Sequence, residues 1–234
     1  MFEMLMSLVL NLAPHYVHCD FEQAVINTVR KCFPEATIKG CFFHLVQSMQ
    51  RHIASSGLRR RYNTDPEFAT YAKMITSLAF VPQADLDSHI DALANELPSD
   101  LEPVLTWFEC NYVGVYNRRG NRRNPIFPYD LWNVYETTLN DEDRTNNYAE
   151  ACHRKLAYEL GCHHPTLWKF LEILNKVKKG RDMYTKHLIA GNDPSQKLKK
   201  YQDLDKRIKK IVYEYDSERS CIEYSRALSH NSKM

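Results

Sequence analysis

At 234 residues the chain is long enough to bury a self-supporting core, as one large domain or as a domain carrying a helical insertion. Its 31 basic side chains nearly cancel 29 acidic ones, leaving a formal charge of +2, so overall charge announces no nucleic-acid partner and such a surface must come from local clustering. Seven cysteines, an odd number scattered through a chain with only 7 glycines, argue against a disulfide framework and for reduced thiols in an intracellular compartment.

Met4 to Leu12 is mostly apolar. Glu3 and the lack of Lys or Arg ahead of it, with no small-x-small cleavage site behind it, argue against a signal peptide, and the stretch is expected to be a core helix. No apolar run approaches the roughly 18 to 20 residues that span a bilayer, so no membrane partner is expected. Tyr16 to Cys19 and Ala36 to Gly40 read as brief strands. Between them Phe21, Ala24, Val25, Thr28, Val29 and Cys32 recur at helical spacing, which predicts an amphipathic helix from just after Asp20 to Pro34. A further helix opens near Phe43, with Phe42, Leu45, Val46, Met49 and Ile53 inward. Strand, helix, strand, helix implies a parallel pair joined by a crossover, with functional groups at the carboxyl ends of the strands, where Asp20 and Cys41 stand. Asp20 can serve there as a helix N-cap or as a working acid.

From 57 to 113 the strand signals stop. Asp65-Pro66 caps a helix carrying Phe68, Tyr71, Ala72, Ile75 and Leu78; Leu86, Ile90, Leu93 and Leu97 mark the next; Ser99 with Glu102 reads as a capping box for a third, bearing Leu105, Phe108 and Tyr112. Residues 114 to 130 hold Gly120, Pro125, Pro128 and four arginines without periodicity and are expected to form a loop. Helices resume near Thr145, Pro165 and Asp193-Pro194, the last with a short seam of Tyr201, Leu204, Ile208, Ile211 and Tyr215. Trp107, Trp132 and Trp168 are assigned to core packing.

In DRTNNYAEACHRKL, the spacing of Ala149, Cys152, Leu156 and Leu160 predicts a buried stripe, with Asn146, Asn147, Glu150, His153 and Arg154 on or beside one flank. Asn146 and Asn147 suit the cap of that helix. Cys41 and His44 have the spacing of half a zinc site; tetrahedral Zn²⁺ needs two more ligands, for which His153, His163 and His164 are candidates. A buried Cys41 with a His44 hydrogen-bonded at the helix start is the other reading. Basic clusters at Arg59, Arg60 and Arg61, and at Arg118, Arg119, Arg122 and Arg123, could neutralise phosphates, and Tyr116 and Phe127 beside the second could stack on bases. Lys197, Lys199, Lys200, Lys206, Arg207, Lys209 and Lys210 form a third basic group that could neutralise phosphates, but they alternate with Asp203 and Asp205 and read more readily as a solvated helix face.

Taken together, CDFEQAVINTVRKCFPEATIKGCFFHLVQSMQRHI, LAFVP, FPYDLWNVYE, RTNNYAEACHRKL and HPTLWKFLEIL resemble, in order and from about residue 5 to 180, the Mutator-like (MULE) transposase domain. The resemblance implies an RNase H-like fold of the DDE superfamily, with Asp20 as the second catalytic acid, Glu150 as the third, and a helical insertion between them. It also implies Mg²⁺ or Mn²⁺ as cofactor, DNA at transposon ends as partner and a nuclear location; a homo-oligomer is a further possible partner, since a sheet short of its central strands would expose edges. Only 19 residues precede Asp20, too few for the strands that carry the family's first Asp, so the expectation is a truncated or domesticated domain without cleavage activity, or else a non-catalytic DNA-binding or protein-interaction module. The expected architecture is helix-rich α/β. A partial RNase H-like core at 1–56 precedes the insertion and Arg-rich loop at 57–130, the rest of the core at 131–190 and a helical extension at 191–234.

Overall fold

The computed structural model describes residues 2–194, 196–216 and 220–231. It is helix-rich, with one two-stranded parallel sheet among the described residues. The chain divides into two compact units, Met1–Thr145 with Asp203–Met234, and Asn146–Gln202.

In the first unit, α1 (Phe2–Leu8) buries none of its residues, and Met4 and Leu8 are 69% and 77% exposed. The expected core helix is therefore a surface helix: its apolar side chains point all round a two-turn cylinder, and Phe2 docks edge-on against Phe33 with ring centroids 5.8 Å apart. The strands match expectation. β1 (Tyr16–Cys19) and β2 (Thr37–Gly40) pair in parallel, with Tyr16 opposite Thr37 and Cys19 opposite Gly40. The crossover α2 (Gln23–Cys32) starts later than predicted, with Glu22 at its N-cap. Its buried face is accordingly Ile26 and Val29, while Ala24 and Thr28 face solvent and Phe21 leaves the helix to pack edge-on against Tyr112 and Phe127.

α3 (Phe42–Ser55) turns Leu45, Val46, Met49 and Ile53 inward, as its periodicity required. α4 (Arg59–Thr64) leads into α5 (Pro66–Ser77), whose first turn is closed by Asp65: its carboxylate accepts from the Glu67 and Phe68 N–H groups at 3.1 and 3.0 Å. α6 (Leu86–Glu96) follows. The Ser99–Glu102 capping box does not form, because Ser99–Leu101 is a 3-10 turn and Leu101 takes the N-cap position of α7 (Glu102–Phe108). A wide turn at Glu109–Val113 then frees the Tyr112 carbonyl, which accepts from the Trp132 indole N–H at 2.7 Å. Two short helices, α8 (Tyr129–Trp132) and α9 (Tyr135–Leu139), complete this stretch.

Residues expected as an insertion share one core with the first 56. Leu45 and Met49 of α3 belong to the same buried cluster as Phe68, Ile75, Leu93, Phe108 and Trp132, and the cluster also takes Val212 and Leu228 from near the C-terminus. Val212 belongs to α12 (Lys199–Tyr213), whose residues from Asp203 onward lie in this unit. Leu228 belongs to α13 (Cys221–Asn231), a helix inside the helical extension expected at 191–234. α13 packs on α5 and α6, and its Tyr224 hydroxyl donates to the Phe80 carbonyl at 2.6 Å.

The second unit holds α10 (Asn147–Leu160) and α11 (Leu167–Ile189), packed on each other. Gly161 ends α10 in the left-handed region at φ 63°, and Thr166 caps α11 by accepting from the Lys169 N–H. Lys176 and Glu159 pair across the two helices at 2.6 Å. No residue of α10 is buried, so the predicted stripe through Ala149, Cys152, Leu156 and Leu160 is overturned, as is the core role of Trp168, which is 80% exposed. Trp132 is fully buried as expected, and Trp107 stacks on His52 at 4.3 Å, half-buried.

Candidate functional site

Strand register puts the first residues after β1 and β2 side by side, since Cys19 lies opposite Gly40. The Cys41 N–H donates to the Cys19 carbonyl at 3.0 Å and continues the ladder by one step. The close approach depends on Gly40. A Cβ there would meet the Phe21 ring at 2.7 Å and the Leu131 carbonyl oxygen at 2.8 Å, so a larger residue would push the strand ends away from α8.

Asp20 does not cap α2; that place is Glu22's. Its carboxylate reaches across to the first turn of α3 instead, where Oδ1 lies 2.9 Å from His44 Nδ1. Asp20 is 52% exposed and His44 22%, so this pair is one acid open to solvent and one imidazole largely covered. The imidazole thus lies against the carboxylate, a contact through which an acid can set the orientation of a histidine ring. Cys41 is fully buried, with its Sγ within 4.8 Å of a His44 ring nitrogen. The two offer a thiol and an imidazole from one helix start, half of a tetrahedral set. Cys19, one residue before the acid, has its thiol pushed up to about 11 by burial and then by the neighbouring Asp20 charge, which keeps it a protonated packing group.

The segment leading toward α10 is tied to this corner. The Phe42 N–H donates to the Arg144 carbonyl at 2.9 Å, and the Arg144 guanidinium pairs with Asp205 and covers the Phe80 ring at 5.6 Å. Glu150 follows in the first turn of α10, in the second unit. It is half-buried and not openly presented as its flank position suggested; His153 and Arg154 are exposed. Asn146 takes the N-cap position without a side-chain cap bond, and Asn147 is the first helical residue.

The arginines sort into two kinds. Arg122 is a structural tie: it holds Asp87, Glu109 and the Gly114 carbonyl, and lies 4.4 Å over the Tyr116 ring. The Tyr116 hydroxyl donates to the same Asp87 at 2.6 Å. Burial raises that carboxyl, but Tyr116 and Arg122 together hold it below the usual range. Arg61 pairs with Asp65 and Asp100 and covers Phe68. Arg59, Arg60, Arg118, Arg119 and Arg123 are exposed. Arg122 lies over one face of the exposed Tyr116, and Phe127 packs against Tyr112 at 5.4 Å and Phe21 at 5.1 Å, so both rings expected to stack on bases also have contacts within the fold.

Three acids missed at the sequence level also gather beside the strands: Asp141, Glu142 and Asp143 line a recess with Tyr16, His18 and Lys39. The run of acids was visible in the sequence, but only the fold brings it to the sheet. Lys209 of α12 pairs with Asp141 and balances part of its charge. No helix is long and apolar enough to cross a membrane among the described residues. Compared with protein-family models, with curated proteins and with solved structures, the chain has no significant match to any.

Proposed function

We propose that this chain is a domesticated Mutator-like transposase domain, derived from a metal-dependent enzyme that cuts and joins DNA. The observation that supports the reading is Asp20: an acid at the carboxyl end of a parallel strand, half open to solvent, held by His44 from the next helix and not used as a cap. On this reading Asp20 and Glu150 are two of the family's acids, Asn146, Asn147 and His153 support the helix that carries Glu150, and the surrounding core is a partial RNase H-like sheet. Oxygen ligands of this kind suit Mg²⁺ or Mn²⁺. Such an ion, when bound, activates an attacking oxygen and stabilises a leaving one at a phosphodiester. The chain's own groups do the rest: Asp20 supplies an anionic oxygen, His44 fixes its direction, and exposed Arg118, Arg119 and Arg123 supply cations for a DNA backbone. Cys41 and His44 suit the softer Zn²⁺, as half a site. Assembly of copies on transposon-like DNA in the nucleus belongs to the same reading.

The test is amide NMR of residues 1–234 with Mn²⁺ added. Paramagnetic broadening centred on residues 19–21 and 42–45, lost in Asp20→Asn, is expected, with no cleavage of supercoiled DNA. Broadening that ignores this corner, or Mg²⁺-dependent nicking abolished by Glu150→Gln, would respectively remove the metal role of Asp20 or the loss of activity. The second reading, a DNA-binding module without chemistry, is favoured by one feature: the exposed arginines sit on a loop that is braced. The Tyr116–Arg122 bridge closes it, and the Asn117 side chain accepts from the Arg119 and Asn121 N–H groups.

A further inference from the structure

Between α3 and α4 lies a cavity of about 290 Å³ with a mixed polar and apolar lining, near the lower end of small-ligand pockets. Arg51 and Arg59 line it with Gln47, Gln50, Tyr62 and Asn63 and with the apolar Ile53 and Ala54, and no carboxylate is among its lining residues. The Arg51 guanidinium donates to the Gln47 Oε1 at 2.8 Å, so a neutral neighbour orients it without cancelling its charge. Among the described residues neither Arg51 nor Arg59 forms an ion pair with an acid, whereas Arg61, two positions on, is held by Asp65 and Asp100. The Tyr62 hydroxyl is buried beside Gln50.

We propose that this cavity binds a phosphate group. Two like charges facing one recess repel each other, and an oxyanion between them converts that repulsion into two charge-assisted hydrogen bonds. A carboxylate offers two oxygens in one plane, so two guanidinium forks must share them. A phosphate offers three or four, enough for both forks and for the amide donors of Gln50 and Asn63. The cavity is on α3 and α4, so the site is independent of the transposase reading and of the Asp20–His44 corner.

Inorganic phosphate is titrated into the full chain at constant ionic strength, with chloride as the control, and amide shifts are followed. Saturable shifts confined to residues 47–63 are expected. They should weaken about tenfold in Arg51→Gln/Arg59→Gln and stay unchanged in the charge-matched pair Arg118→Gln/Arg119→Gln. If the first pair does not fold, Asn63→Asp, which adds an anion at the rim, should weaken phosphate in the same way. A single-stranded DNA oligonucleotide is then added. Displacement of phosphate from these amides identifies the ligand as a nucleic-acid backbone, and failure to displace it identifies a free phosphate monoester. Equal shifts with chloride, or equal weakening in both arginine pairs, would overturn the site.

Discussion

His89 shows how one residue can set a condition on the whole fold. It is buried in α6, its Nδ1–H donates to the Asp85 carbonyl at 3.0 Å, and its Nε2 is buried with no hydrogen-bond partner among the described residues. Tyr215 and Tyr224 pack against the ring, and Asp85 turns its carboxylate to the Tyr215 hydroxyl at 2.8 Å. Protonating Nε2 would place a charged donor in an apolar wall, so burial lowers the pKa of His89 despite the opposing influence of Asp85. Above about pH 6.5 the imidazole is neutral in both folded and unfolded chains and pH has no effect through it. Below that, the unfolded chain takes a proton that the folded chain refuses. Stability therefore declines as pH falls from about 6.5 toward the folded value, by at most about 1.4 kcal/mol per pH unit. Urea denaturation between pH 5 and 8 should show this slope in the wild type and a shallower one in His89→Gln; identical slopes would assign it to other histidines.

At the scale of elements, the 114–130 segment is a loop as its composition indicated, yet it is organised by interactions that composition could not reveal. Gly114 has φ 91° and lies so close to the Arg123 carbonyl that any Cβ would collide with it. The Arg123 N–H donates back to the Val115 carbonyl at 2.9 Å, and Arg122 locks the closure onto Asp87 of α6. Replacing Arg122 by Ala leaves Asp87 beside a tyrosine with its cation gone. The Arg123 amide, protected in the wild type, should then exchange with solvent at least about tenfold faster, whereas Arg119→Ala, on the exposed tip, should leave it unchanged. Equal protection in both variants would show that the backbone bonds alone hold the loop.

At the scale of the molecule, the first unit is closed by its own C-terminal segment. Tyr224 and Phe80 are 144 residues apart in sequence and joined by one hydrogen bond, and Leu228 is buried in the same cluster as Leu45 and Trp132. Such contacts join segments far apart in the chain, so the entropy of closing the intervening chain opposes them until they form. Leu228→Ala removes buried side-chain volume from that closure and should cost about 2 to 5 kcal/mol, lowering the melting temperature of a cooperative transition. A chain ended at residue 216 loses Tyr224 and Leu228 together and should melt without a sharp transition. A sharp melt of that shortened chain would mean that α5 and α6 find another cover.

Much of the local plan was written in the order of residues. Short runs of β-formers marked both strands, the Asp65-Pro66 pair fixed the start of α5, and the spacing of Leu45, Met49 and Ile53 fixed the inner face of α3. These signals depend on backbone dihedrals, capping and periodicity, which act over a few residues. The apolar character of α1 and of Trp168 misled for the complementary reason: hydrophobicity states a preference for burial, and only a neighbouring surface can satisfy it. Half of the candidate site was legible in the same sense, since Asp20 and Cys41 at strand ends follow from a parallel pair, but the Asp20–His44 bond was not. Sequence alone determined which short segments coil, extend and turn. The tertiary structure alone decided that residues 45, 112, 132 and 228 share a core, that Arg122 is a brace while Arg51 and Arg59 face a cavity, and that α13 seals the first unit, because each of these rests on contacts between segments whose separation along the chain carries no local signal.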